Sequence, residues 1–528
     1  MKAPGKCLGP LPHAPPCRHS SRMDAQTQRQ RHEARQLSDA GRLAEAIVAF
    51  RGLLAHAPQW PEGWYELGWL LRRQGAADEA LAAYAEALAR GVEAPEEVHL
   101  NRAVIQTDLL HDHAAAEASL RQALALAPGY APARLNLGNL LEDLGRNDEA
   151  EAQYRALLAA PIASGAAADA RTEALARLLT LPALRASDEA LLADATAVAH
   201  SAAPMGALAR ANLWFAIGRA REARRQFDAA FEAFAEGNRC AAAGPPYSPE
   251  GMARAVDALA ASLEARPPSR EPRSTEPLEP LFICGMFRSG STLIEQVLAA
   301  HPQVVAGGER PFFPQLASRL RGAYPASLAT LDAPTLQALA ADYRAHVARL
   351  VPASRAQARW FTDKRPDNVL LLDLVTRVFP HARIVLTRRH PIDNGLSVFQ
   401  QHLDQRQAPY GSDLRAIGHY SAQLRRWERH LEAAFGDRLR VFDYDGFVRD
   451  PEGVLRPLLG WLGLDWDPRC LAFHAQPSSV KTASVHQVRR PLYADASGRW
   501  QPYAAQLRPL IDALREAGLV DASGLPTS

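Results

Sequence analysis

The chain has 528 residues, long enough for two or three domains that each bury a core. Its net charge of +2 creates no global field for nucleic acid or an anionic membrane surface, so any anion it binds is caught by local groups. Five scattered cysteines (Cys7, Cys17, Cys240, Cys284, Cys470) without C-x-x-C spacing point to a reduced compartment, and no stretch approaches the roughly 20 apolar residues of a membrane span. The expectation is a cytoplasmic protein with neither a membrane nor a nucleic acid as partner.

Residues 1–26, opening MKAPGKCLGPLPHAPPCRHSSR, carry charge, Pro and His but no apolar export region, and read as a disordered N-terminus in which Met23 is a second candidate start. A repeat array follows. Gly41, Gly75 and Gly145 lie 34 and 70 residues apart within "AGRLAEAIVAF", "QGAADEALAAY" and "LGRNDEAEAQY". "LHDHAAAEASL" keeps the frame with His111 in the glycine's place, and Pro58, Pro128 and Pro161 close the second helices. These units resemble tetratricopeptide repeats. The resemblance implies paired antiparallel helices of about 34 residues, small Ala positions for close packing, and an aromatic knob filling the next groove. Four units cover roughly 27–161, and "ALARANLWFAIGRAREARRQFDAAFEAFAEGN" (207–238) reads as one more hairpin. A stacked solenoid over 27–243 presents a concave surface, suited either to scaffolding and a homodimer or to a protein or peptide partner. His111 and His113 point apart at i and i+2, so they read as a solvated loop rather than metal ligands.

Residues 244–279 read as a linker, with four prolines in "LEARPPSREPRSTEPLE" (263–279). Short apolar runs then alternate with helical stretches, as in an α/β domain built on a parallel sheet. The domain is set at 280–520, with a tail over 521–528. Strands are predicted near 280–285, 303–306, 359–362, 382–387 and 438–443. Helices are predicted near 291–300, 367–378, 391–403, 413–435, 451–463 and 503–517. Ligands in such sheets bind beyond the carboxyl ends of the strands, so those ends carry the candidate site.

Four strand ends hold chemistry. "LFICGMFRSGSTLIEQV" (281–297) has the G-x-x-x-x-G spacing of a phosphate loop from Gly285 to Gly290, but Ser291-Thr292 stands where a nucleotide triphosphatase has Lys-Ser/Thr. Its amides and hydroxyls from Arg288 through Thr292 suit a phosphate on a helix N-terminus, and the missing lysine argues against a triphosphate. "VVAGGERPFF" puts Glu309 behind two glycines, as a base or a mere cap. "WFTDKRPDN" delivers Lys364 and Arg365, and "ARIVLTRRHPIDNGLSVFQ" places Arg388, Arg389 and Ser397 where a guanidinium and a hydroxyl suit a second phosphate.

The motifs "FRSGSTL", "GGE" and Arg389 with Ser397 eight residues on resemble the sulfotransferases, in the branch similar to tyrosylprotein sulfotransferase, and chains joining tetratricopeptide repeats to such a domain form a recognisable bacterial family. The resemblance implies a P-loop-like α/β fold behind the helical solenoid, with 3′-phosphoadenosine 5′-phosphosulfate (PAPS) as co-substrate and no metal. The 5′-phosphosulfate would lie on Arg288, Ser289, Gly290, Ser291 and Thr292, and the 3′-phosphate would meet Arg389 and Ser397. Glu309 would take the acceptor proton, Lys364 would stabilise the bridging oxygen, and Arg288 would stabilise the transferring group. Tyr444 falls at a strand end near the nucleotide, and the family's closing loop resembles 481–500. There Ser484 would contact the sulfate, with Gln487, Arg489 and Arg499 nearby; the family has a lysine at Arg499, and Arg keeps the charge but changes the geometry. The acceptor implied is a protein or peptide tyrosine, with a carbohydrate or small-molecule hydroxyl as the alternative. A P-loop kinase using Asp363 for a metal, and a non-catalytic repeat scaffold, are the rival classes.

Overall fold

The computed structural model describes residues 25–159, 165–202, 205–242, 244–266, 278–320, 322–473 and 497–527. Two compact units divide it, one running to Arg225 and the other from Gln226 onward. No helix among the described residues is long and apolar enough to cross a membrane.

The first unit is the helical solenoid. Helix pairs Ala25–Asp39 and Leu43–His56, Pro61–Gln74 and Ala77–Ala89, Pro95–Asp108 and His113–Leu126, and Ala131–Asp143 and Asn147–Ala159 follow the four repeats; Ala166–Thr180, Glu189–His200 and Ala207–Ala223 follow them. The turn inside each repeat needs a left-handed residue: φ is 77° at Gly41, 87° at Gly75, 77° at Gly145, and 57° at His111, which holds the same frame position. The aromatic knobs fill a groove inside their own repeat. Tyr84 and Tyr154 are fully buried, and their rings lie where a Cβ on Gly68 and Gly138, in the first helix of the same repeat, would stand. The absent side chain makes the groove within the repeat, and Tyr84 shares one core cluster with Val98 and Ile105 of the next repeat.

The second unit is an α/β domain. Strands β1 (Glu279–Gly285), β2 (Val304–Ala306), β3 (Trp360–Lys364), β4 (Arg383–Arg388) and β5 (Leu439–Asp443) form one sheet in the order β2-β3-β1-β4-β5, every pairing parallel. β1 is buried from Leu281 to Gly285 and reads as an apolar run because helices cover both faces, β3 is buried throughout yet carries Thr362, Asp363 and Lys364, and edge strand β5 leaves three of its five residues exposed. All five strands match the predicted ones within a residue or two. The predicted helix at 367–378 opens as a 3-10 turn, Pro366–Leu371, before Leu372–Val378. Helices Phe312–Arg319 and Ala333–Ala348 fill a connection that carried no helix expectation.

The linker expectation differs most. Pro249–Glu264, inside the predicted linker, is a helix capped by Ser248, with Val256, Leu259, Ala260 and Leu263 buried. Ser262 donates to Asp373 at 2.6 Å and Arg266 to the Thr376 hydroxyl at 2.6 Å. The predicted hairpin at 207–238 is also divided: Ala207–Ala223 belongs to the first unit and Phe227–Ala241 to the second. Prolines beyond residue 266 drew the linker reading too far upstream, over an amphipathic helix.

Candidate functional site

Chain direction switches at the centre of the sheet. From β1 the chain runs to β2 and β3 on one side, then crosses to β4 and β5 on the other, and a crevice opens at such a switch beyond the carboxyl ends. Gly285 pairs with Thr387 and Arg388 with Asp443, so the ends of β1, β4 and β5 lie level.

The loop after β1 is tied down from three directions. Ser289 Oγ donates to Met286 O at 2.6 Å and lies 2.6 Å from Thr387 Oγ1, which donates to Cys284 O at 3.1 Å. Asn394 Nδ2 donates to Phe287 O at 2.7 Å. Arg288 has a left-handed φ of 70°, and its Nε donates to Ser397 Oγ at 3.1 Å. Gly290, at φ 102°, caps the helix Ser291–Ala299; a Cβ there would stand 2.6 Å from the Tyr444 ring. Ser291 and Thr292 open that helix, whose first-turn amides have no intrahelical acceptor.

Across the switch lies an ion pair. Lys364, the last residue of β3, is 0% exposed, and its Nζ donates to Glu309 Oε1 at 2.8 Å. Glu309 follows the turn Gly307-Gly308 after β2. Lys364 N donates to Gly308 O at 3.0 Å, Gly307 N donates to Thr362 Oγ1 at 3.1 Å, and Gly308 N donates to Glu295 Oε1 at 2.9 Å. Burial pushes the Glu295 carboxyl above the ordinary range, while neighbouring Lys364 draws it down.

The third side is built on β4 and β5. The Arg389 guanidinium lies 4.7 Å from the centre of the Tyr444 ring, which begins the helix Tyr444–Arg449. Arg388 turns the other way, to Glu428 at 2.8 Å and to Glu432. Asp445 accepts from His390 N at 2.6 Å and from Ser497 Oγ at 2.7 Å. Buried Asp393 accepts from Gly498 N at 2.6 Å and Trp500 N at 2.9 Å, so the backbone on both sides of Arg499 is held to the helix Pro391–Phe399.

Residues 280–468 match a family model described as "Sulfotransferase family", and residues 61–90 and 110–161 match models described as "Tetratricopeptide repeat". The chain joins tetratricopeptide repeats to a sulfotransferase-family domain. An uncharacterized protein of Aquifex aeolicus is 27% identical over 413 residues, covering 75% of this chain and 52% of its own length. Protein-tyrosine sulfotransferase 2 of Gallus gallus is 24% identical over 249 residues, 44% of this chain and 65% of that one. Protein-tyrosine sulfotransferase 1 of Danio rerio is 25% identical over 237 residues, 42% and 65%. The chain thus spans about half to two thirds of the length of these relatives.

Within the sulfotransferase-family domain, Arg288, Gly290, Ser291, Thr292, Glu309, Lys364, Arg389, Ser397 and Tyr444 all lie at the carboxyl end of the sheet. Two of them, assigned to opposite ends of the donor, touch: Arg288 and Ser397. Ser289 departs from expectation. Its hydroxyl is turned into the sheet and its amide donates to Met286 O at 3.2 Å, so it shapes the loop from within. Asp363 points away from the site: it is fully buried, accepts from Tyr343 OH at 3.0 Å and from Asn368 Nδ2 at 3.3 Å, and is pushed up to about 7 by burial. Ser484, Gln487 and Arg489 lie outside the described residues. Sequence reasoning passed over Glu295, Thr362, Asp393 and Asn394. Asp393 and Asn394 follow Pro391 in a helix's first turn, and Glu295 interrupts the apolar run "LIEQVL"; each is a polar residue where the pattern calls for apolar burial.

Proposed function

We propose that the chain moves a sulfuryl group from PAPS to an acceptor hydroxyl, that of a protein or peptide tyrosine, by in-line displacement. The observation that carries this reading is the Glu309–Lys364 pair, 2.8 Å apart, across the sheet switch from a lysine-free phosphate loop. An acid–base pair beside an anion cradle suits transfer of a charged group between two oxygens.

In the proposed reaction the 5′-phosphosulfate sits on the loop from Arg288 to Thr292 and the helix N-terminus behind it, with Gly290 leaving the backbone open to close approach. Arg389 and Ser397 take the 3′-phosphate, and Tyr444 supports Arg389 through its ring face. The acceptor oxygen bonds to sulfur as the bond from sulfur to the bridging oxygen breaks. Glu309 takes the acceptor's proton, and Lys364 stabilises the charge left on adenosine 3′,5′-bisphosphate. Arg288 stabilises the sulfuryl oxygens in flight. The sulfuryl group carries less charge than a phosphoryl group, so these cations suffice without a metal. Tyrosine as acceptor is supported by the low-identity likeness to the two protein-tyrosine sulfotransferases, and the repeats offer a place to hold a protein or peptide.

Calorimetry with adenosine 3′,5′-bisphosphate is expected to show binding that Mg²⁺ leaves unchanged, whereas a kinase-like site would need the metal and a scaffold would bind nothing. Labelled PAPS added to lysate with the enzyme is expected to mark protein; label confined to glycan or small molecules overturns the tyrosine assignment. Glu309→Gln is expected to lower turnover by roughly 10² to 10⁴ fold while leaving bisphosphate binding intact.

A further inference from the structure

Glu295 takes no part in the reaction above, yet it is a buried carboxyl in the helix whose N-terminus forms the phosphate loop. It lies four residues past Ser291, among the buried side chains of Ile294, Val297 and Leu298. A carboxyl in such a place is costly unless its oxygens are engaged. Its Oε1 accepts two hydrogen bonds, from Gly308 N at 2.9 Å and from Thr362 Oγ1 at 2.7 Å. Thr362 Oγ1 in turn accepts from Gly307 N, and Gly308 O accepts from Lys364 N. Gly307 is pressed so closely on β3 that a Cβ would collide with Thr362 O and the Phe361 ring, and Gly308 is left-handed at φ 66°. The turn that ends in Glu309 is therefore fastened on one side by strand β3 and on the other by Glu295.

We propose that Glu295 is a positioning residue that holds the Gly307–Glu309 turn, and with it the Glu309 carboxylate, against Lys364. The catalytic consequence rests on the transfer reaction proposed above; the fastening of the turn does not. The arrangement makes one helix serve two parts of the site: its first turn faces the phosphate loop and its second turn carries the strut for the base. A shift of the helix toward or away from a bound anion moves the base with it. Lys364 and Glu309 are the charged groups that act on Glu295 across this junction, from β3 and from the turn itself.

The test compares wild type with Glu295→Ala, Glu295→Gln and Glu295→Asp in the full chain. Hydrogen exchange is followed in the peptide covering 304–313, with turnover and KM on PAPS and a tyrosine peptide, and calorimetry with adenosine 3′,5′-bisphosphate. In Glu295→Ala, exchange in 304–313 is expected to rise about tenfold and turnover to fall about 10- to 100-fold, with bisphosphate affinity within about threefold of wild type. Glu295→Gln keeps an oxygen acceptor and is expected to restore exchange and turnover to within about threefold. Glu295→Asp, shorter by one methylene, keeps the charge but not the reach, and is expected to resemble Ala even if Ala itself folds poorly. Unchanged exchange in 304–313 in both the Ala and Asp variants overturns the proposal, whatever happens to the melting temperature. A wild type that transfers no sulfuryl group overturns the reaction instead, and the exchange result stands apart from it.

Discussion

Asp363 and Lys364 are consecutive, both fully buried, and opposite in role because successive residues of a strand face opposite sides of the sheet. Lys364 joins Thr362 on the side of Glu309 and Glu295. Asp363 lies under Tyr343 and Asn368, and burial pushes it up to about 7 against the weaker pull of the Tyr343 hydroxyl and Arg310. Asn368 Nδ2 donates to Asp363 Oδ1, while Asn368 Oδ1 is buried without a hydrogen-bond partner among the described residues. The folded chain holds the Asp363 proton to near neutrality, whereas the unfolded chain releases it near the ordinary value of 3.8. Between those limits the folded state binds more protons, so stability falls as pH rises, by an amount on the order of a few kcal/mol. Asp363→Asn is expected to flatten the dependence of Tm on pH between about 4 and 7; a slope equal to wild type would remove Asp363 as its source. At this scale the strand-end residues were legible because a parallel sheet delivers its carboxyl ends to one edge. Glu295 and Asn394 were not, since their role lies in contacts to backbone amides and carbonyls distant in sequence, and no spacing rule encodes those.

Among elements, the repeats show how far a periodic pattern carries. The 34-residue frame located every turn, including the one at His111, because only one backbone conformation closes each hairpin. What the frame could not show was which groove the aromatic knob fills, since that depends on a side chain that is missing. Gly68→Ala tests the point. Alanine favours the helix by about 1 kcal/mol, but the new methyl would stand 2.7 Å from Tyr84 Cε1, and overpacking of this kind costs about 1 to 3 kcal/mol. A net loss of stability is expected in chemical denaturation, confined to the transition of the first unit. Stabilisation would mean the Tyr84 ring has room to withdraw. In the second unit β1 and β4 were legible because burial on both faces leaves apolar runs, Leu281–Cys284 and Ile384–Leu386. Phe312–Arg319 and Ala333–Ala348 were not, since one is barely two turns long and the other buries only Ala340, Tyr343 and Val347.

The whole molecule divides at Arg225, well before the first strand of the sulfotransferase-family domain. The helix Pro249–Glu264 belongs to the α/β unit, as does Asn238, whose amide donates to Phe399 O at 2.8 Å from behind the helix that carries Ser397. A fragment beginning at Gln226 is expected to fold and to bind adenosine 3′,5′-bisphosphate with affinity close to that of the full chain. One beginning at Glu279, where the sheet starts, is expected to aggregate or to melt well below it, because the faces covered by Val256, Leu259 and Leu263 are laid bare. Equal melting of the two fragments would show that these helices are dispensable. At rest the Glu309 carboxylate and the Lys364 ammonium neutralise each other, with no exposed surface on the lysine. In the proposed reaction, a phosphosulfate that draws Lys364 to its bridging oxygen releases the Glu309 carboxylate in the same movement. The proposed reaction is therefore expected to take donor first and acceptor second, since an acceptor alone would meet a Glu309 already paired with Lys364.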